Sequence, residues 1–80
     1  MKDTLHYIIT AIVDSPDAVQ IEEREEDGIL NLIVTVAKED MGKVIGKEGK
    51  VIRGIRNIMK IKAMKHNVRI NVSLAEISEE

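Results

Sequence analysis

The sequence predicts a small α+β domain, a three-stranded sheet with helices on one face, in the order α-β-β-α-α-β. Three observations predict it. Apolar residues recur at helical spacing around Leu5 and again around Ile52, whereas they alternate with polar residues after Ile29 and after Val68. An Asp27-Gly28 pair separates two strand-like runs, which is the signature of a tight hairpin. Eighty residues leave room for one domain with a single thin core, expected over residues 4–74, with a frayed acidic tail at 75–80.

Each element has a local reason. Leu5, Ile8, Ile9 and Ile12 place a helix over residues 4–14, with Asp3 or Thr4 as its cap and Ser15-Pro16-Asp17 as its stop. Val19 and Ile21 start a strand whose continuation, Glu22-Glu23-Arg24-Glu25, is too charged to be buried. After the turn at Glu26-Asp27-Gly28, the strand from Ile29 to Ala37 puts Leu30, Leu32, Val34 and Val36 on one face and Asn31, Ile33 and Thr35 on the other. Glu39 or Asp40 suits the N-cap of a short helix, Met41 to Ile45. A longer helix runs from Lys50 to about Met64 and buries Val51, Ile52, Ile55, Ile58, Met59 and Ala63 against the sheet. Lys65-His66-Asn67 closes it, and Val68 to Leu74 is the last strand.

Composition excludes several classes. The apolar share is 44%, almost all aliphatic, with Tyr7 as the single aromatic residue. Cysteine is absent, which excludes disulfides and thiolate metal sites and fits a reducing compartment. No apolar run approaches the length of a membrane span, and the N-terminus lacks the pattern of a secretory signal, so a cytoplasmic location is expected. The net charge is only −2, but it is unevenly spread. Residues 1–42 carry three cations and ten acids, residues 43–69 carry nine cations and one acid, and the tail adds three acids. Such asymmetry points to a polyanion partner, although a solvated helix face gives the same count.

The charge changes sign at Val44-Ile45-Gly46-Lys47-Glu48-Gly49-Lys50-Val51-Ile52-Arg53. Glycines inside a helical run cost about 0.5–1 kcal/mol each relative to alanine, so a break is wanted there. Taken alone, Gly-x-x-Gly is a bend between two helices. It can also let the backbone lie against a sugar-phosphate chain, with the start of the second helix attracting anions and Lys47, Lys50 and Arg53 neutralising them.

This stretch resembles the I-G-x-x-G signature of the KH domain, and the leading helix and strand give the order of its type II form. The resemblance covers nearly the whole chain, and a stand-alone domain of this size is similar to the small bacterial KhpA family. It implies single-stranded RNA as the partner, with single-stranded DNA as an alternative, and about four nucleotides clamped at the loop. Carried onto this chain, Gly46, Lys47, Glu48 and Gly49 clamp the backbone, Val44, Ile45 and Ile52 border the groove for bases, and Lys50 and Arg53 meet phosphates. The family implies a cytoplasmic RNA chaperone or post-transcriptional regulator, a homodimer, and a heterodimer with a larger KH-containing protein of the KhpB, Jag or EloR type linked to cell elongation and division. Glu48 opposes phosphate, so one copy is expected to bind weakly and with strong salt dependence, improved by dimerisation.

Ile61 and Met64 fall off the core-facing stripe of the long helix, beside Gly54 and Asn57, and make that side a candidate subunit interface. A protein-interaction module that keeps the fold but binds little nucleic acid is the alternative function. His6 and His66 have no ligand partners at metal spacing, and neither a phosphate-binding P-loop nor a nucleophile with its base is present. No enzyme activity, cofactor, metal or small-molecule substrate is expected.

Overall fold

The computed structural model describes residues 1–75, and the expected fraying of 76–80 lies outside them. The elements are α1 (Lys2–Ile12), β1 (Gln20–Glu26), β2 (Ile29–Thr35), α2 (Met41–Ile45), α3 (Lys50–Lys65) and β3 (Arg69–Ala75), with single 3-10 turns at 16–18, 38–40 and 47–49. The order is the predicted α-β-β-α-α-β, the sheet order is β1-β2-β3, and the fold is α+β. β1 pairs antiparallel with β2, and β2 pairs parallel with β3, so the sheet is mixed. Ala75, assigned to the tail from sequence, instead pairs with Thr35 at the end of β3.

The hairpin forms where Asp27-Gly28 predicts it. Both residues have positive φ, 54° and 78°, as a two-residue turn matched to strand twist demands. In β2 the alternation holds: Leu32 and Val34 are buried while Asn31, Ile33 and Thr35 are half-exposed on the open face. There the Asn71 amide donates to Asn31 Oδ1 at 3.2 Å across the β2–β3 pair. Beyond Ile21, β1 is exposed throughout, as its charges require. The helices cover the other face. Leu5 and Ile9 of α1, Val44 of α2, and Ile52, Ile55, Met59 and Ala63 of α3 close over Ile21, Leu32, Val34, Val36 and Val72. Tyr7 is 76% exposed, so the core is aliphatic. Ile58 departs from expectation at 51% exposure, because it sits about 240° around the helix from Ile52 and the sheet reaches only the opposite side.

Two helix ends also differ from the sequence reading. α1 starts at Lys2 with Met1 at the cap and without a side-chain cap, so Asp3 lies in the first turn rather than ahead of it. It stops at Ile12 rather than residue 14 because the next peptides are held elsewhere. The Asp40 carboxylate, wholly buried, accepts from the Asp14 N–H at 3.1 Å and the Ser15 N–H at 2.9 Å. Asp40 occupies the N-cap position of α2 but makes no capping bond there, since its oxygens are committed to the α1–β1 connection. Lys43 closes this junction from outside, bonded to Asp14 with its Nζ 3.9 Å from Asp40, and the Asp14 hydrogen bond raises the Lys43 pKa above its ordinary value.

The turn between α2 and α3 is made by Gly46-Lys47-Glu48-Gly49. Gly46 has φ 76° and ψ 175°, an extended positive-φ conformation that only glycine adopts readily, rather than the left-handed helical one expected. A Cβ there would lie 2.2 Å from Val51 Cγ2 and 2.9 Å from the Val51 nitrogen, so the turn also needs the missing side chain. Gly49 is left-handed at φ 74° with open space around it, and Glu48 is left-handed at φ 57°. At the other end, Asn67 at φ 57° ends α3 in a Schellman motif, with Val68 N–H to Ala63 O at 2.9 Å and Asn67 N–H to Met64 O at 3.2 Å.

These interactions set two stability expectations. Asp40→Ala leaves two peptide donors without their charged acceptor and should cost about 2–4 kcal/mol in urea unfolding. A loss under about 1 kcal/mol would show that water replaces the carboxylate. Gly46→Ala should cost about 3 kcal/mol or more, from backbone strain plus the clash, whereas Gly49→Ala should cost only about 1 kcal/mol. Equal losses from the two substitutions would rule out the Val51 clash as the reason for Gly46.

Candidate nucleic-acid interface

The loop sits at the exposed junction of α2 and α3 and is built from below. Val44, expected at the rim of a base groove, is wholly buried, and Ile52 is nearly so. Helical spacing points both into the core, so they hold the loop up and leave little or no surface for a base. Ile45 is the exception in that set, 37% exposed immediately before Gly46.

Around the loop Lys47, Glu48 and Lys50 are exposed, while Gly46 and Gly49 are half-buried. Arg53 reaches back to it. Its Nη2 donates to the Glu48 carbonyl at 2.7 Å and its Nε to the Gly49 carbonyl at 3.3 Å. The sequence reading gave Arg53 a phosphate, but two of its five N–H donors are engaged with the loop's own carbonyls. Arg53 therefore braces two successive left-handed residues and keeps the remaining donors at the surface. The Glu48 side chain points into solvent without an ion-pair partner among the described residues, so its charge is uncompensated beside Lys47.

One flank of α3 continues the positive surface. At about 100° per residue, Arg53, Arg56 and Lys60 share that flank. It faces the outer edge of β3, because Arg56 Nε donates to the Val72 carbonyl at 3.1 Å. A basic strip thus leads from the loop along the cleft between α3 and β3. Sequence reading saw these cations only as a charge count. The geometric signal, their i, i+3, i+7 spacing, was present but needs the position of β3 to acquire meaning. The candidate interface residues occupy the side of α3 away from the sheet. Gly54 and Asn57 are exposed, and Ile61 and Met64 are 68% and 67% exposed. Ile58 joins them, extending the apolar patch. Among the described residues no group of three His, Cys, Asp or Glu side chains could hold a metal ion, and no helix is long and apolar enough to cross a membrane.

Known proteins share this architecture. The sequence model of the KH domain of KhpA and KhpB matches residues 2–74. "RNA-binding protein KhpA" of Chlamydia caviae is 42% identical over 76 residues, covering 95% of this chain and 97% of the relative. The protein of that name from Clostridium acetobutylicum is 43% identical over 74 residues, 92% of this chain and 99% of its own. A further relative of the same name, from Caldanaerobacter subterraneus, is 39% identical over 74 residues, with 92% and 99% covered. A match that runs from the first residue of α1 into β3, across the Gly46–Gly49 turn, places the chain in the KhpA/KhpB KH-domain family.

Proposed function

We infer that the protein binds single-stranded RNA, with the Gly46–Gly49 loop lying against the sugar-phosphate backbone and bases entering the cleft between α3 and β3. The observation that carries this reading is the continuity of the loop with a basic flank, Lys47, Lys50, Arg53, Arg56 and Lys60, in a chain whose net charge is negative. The loop exposes backbone where side chains would otherwise stand off a phosphate, and the start of α3 adds the positive end of a 16-residue helix. The naming of relatives as RNA-binding proteins supports RNA over other polyanions. Without aromatic platforms, bases rest on aliphatic surface such as Ile45, and affinity relies on charge. Such binding suits a chaperone or post-transcriptional regulator in the cytoplasm that holds many short single strands loosely.

A second, compatible reading rests on the outward face of α3. Ile58, Ile61 and Met64, three large apolar side chains next to Gly54 and Asn57, form a patch on which two copies pack helix to helix. Two loops on one particle would raise affinity for a longer strand without any new interaction. The same face suits a related domain of a larger KH-containing protein, through which a link to cell elongation and division would run.

Two measurements test these readings. Binding of a short single-stranded RNA should weaken as salt rises, and Lys47→Ala with Lys50→Ala should reduce the log–log slope by about 1.4, at about 0.7 for each phosphate no longer neutralised. A slope unchanged by the double substitution would remove the loop cations from the interface. Ile61→Asp should give a folded monomer by sedimentation, with weaker binding to long RNA and unchanged binding to a tetranucleotide. A persistent dimer would move the subunit interface elsewhere.

A further inference from the structure

The basic flank of α3 ends in a hollow at the far end of the helix from the loop. It has a volume of about 620 Å³, within the usual range of small-molecule sites. Lys60 and Met64 of α3 form one wall, Arg69 and Asn71 of β3 the floor, and Glu26 and Asp27 of the hairpin tip the far wall. Lys60 lies ten residues beyond Lys50, about 15 Å along the helix at about 1.5 Å per residue. Neither Lys60 nor Arg69 forms an ion pair among the described residues, although two carboxylates line the same hollow. The Asn71 amide is oriented by its neighbours. The Ile29 carbonyl takes the Asn31 NH2 at 3.5 Å, so Asn31 presents its oxygen to the Asn71 NH2 at 3.2 Å. Asn71 Oδ1 is thereby left facing outward, with no donor among the described residues.

We propose that this hollow is a second subsite on the same strand, taking the base of a nucleotide beyond those held at the loop and favouring a base with an exocyclic amino group. The inference rests on the RNA-binding reading. Continuity of charge selects the occupant: Arg53, Arg56, Lys60 and Arg69 lead a phosphate backbone from the loop to this end of the cleft. The far wall selects what enters. Glu26 and Asp27 repel a phosphate or any free anion, so the group that reaches them must donate hydrogen bonds. Asn71 Oδ1 adds a third acceptor on the floor. Adenine, cytosine and guanine carry an amino group on an edge that an unpaired strand exposes, and uracil does not. The Met64 side chain gives the base an apolar surface to lie on.

The test is fluorescence anisotropy on the full chain with four labelled RNAs, A4, A8, U4 and U8. The wild type should prefer A8 to U8 by a larger factor than A4 to U4. Asn71→Ala and Lys60→Ala, both at exposed positions, should each weaken A8 five- to tenfold while A4 stays within twofold, with melting temperatures unchanged. Lys47→Ala with Lys50→Ala should weaken both lengths. If the loop variant weakens both lengths but Asn71→Ala and Lys60→Ala leave A8 untouched, the subsite is wrong and the loop reading stands. An A-over-U preference that is the same at both lengths also overturns the subsite. If the folded wild type binds neither length, the loop reading falls and the subsite with it.

Discussion

The parallel pairing of β2 with β3 is the constraint on which the rest of the molecule depends. A chain that leaves β2 at Thr35 must return to the other end of the sheet before Arg69 can pair with Ile29. Residues 36–68 make that return as a crossover on one face, and they do so with two helices rather than one. The change of direction between them is confined to Gly46–Gly49, where the backbone passes too close to Val51 for any side chain at Gly46. The candidate RNA loop is thus first a solution to a topological demand. Its exposed backbone follows from the tightness of the turn.

Charge is sorted by the same topology. The hairpin that needs no cover on its outer strand carries the acids, and the crossover carries the cations. Net charge conceals this because the two regions nearly cancel over the whole chain. A strand drawn to the crossover meets the acidic hairpin tip only at the far end of α3, so attraction along the cleft gives way to selection at its end. Glu48 adds a local opposition at the loop itself. Its left-handed backbone is held by Arg53 through carbonyl oxygens, which leaves its carboxylate pointing away from the brace.

Much of the fold was legible because its signals are local. The Asp27-Gly28 turn, the alternation of β2 and the glycine break each depend on residues within a few positions, and all three stand in the structure. The illegible parts are interactions between residues distant in sequence. Asp40 was read as a cap for its own helix, and its partners lie 25 and 26 residues earlier. Arg53 and Arg56 were read as surface charge, yet one spans five residues to brace the loop and the other sixteen to reach β3. Val44 and Ile58 show the limit of periodicity. A stripe indicates which residues share a side, but not how far the sheet extends beneath it, so Val44 was left at the rim and Ile58 placed in the core. For the candidate site, the loop and its lysines were legible, while the cleft along α3 required the position of β3.

The hydrogen bond from Arg56 to Val72 has a consequence for assembly. The outer edge of β3 presents peptide groups that could recruit another strand, and the guanidinium occupies a carbonyl in the middle of it. The outer edge of β1 is guarded differently, by a run of exposed carboxylates that a second such strand would repel. Sheet extension from molecule to molecule is therefore obstructed on both sides. Crowded copies are steered away from fibre-like stacking, toward association through side chains of the helical layer.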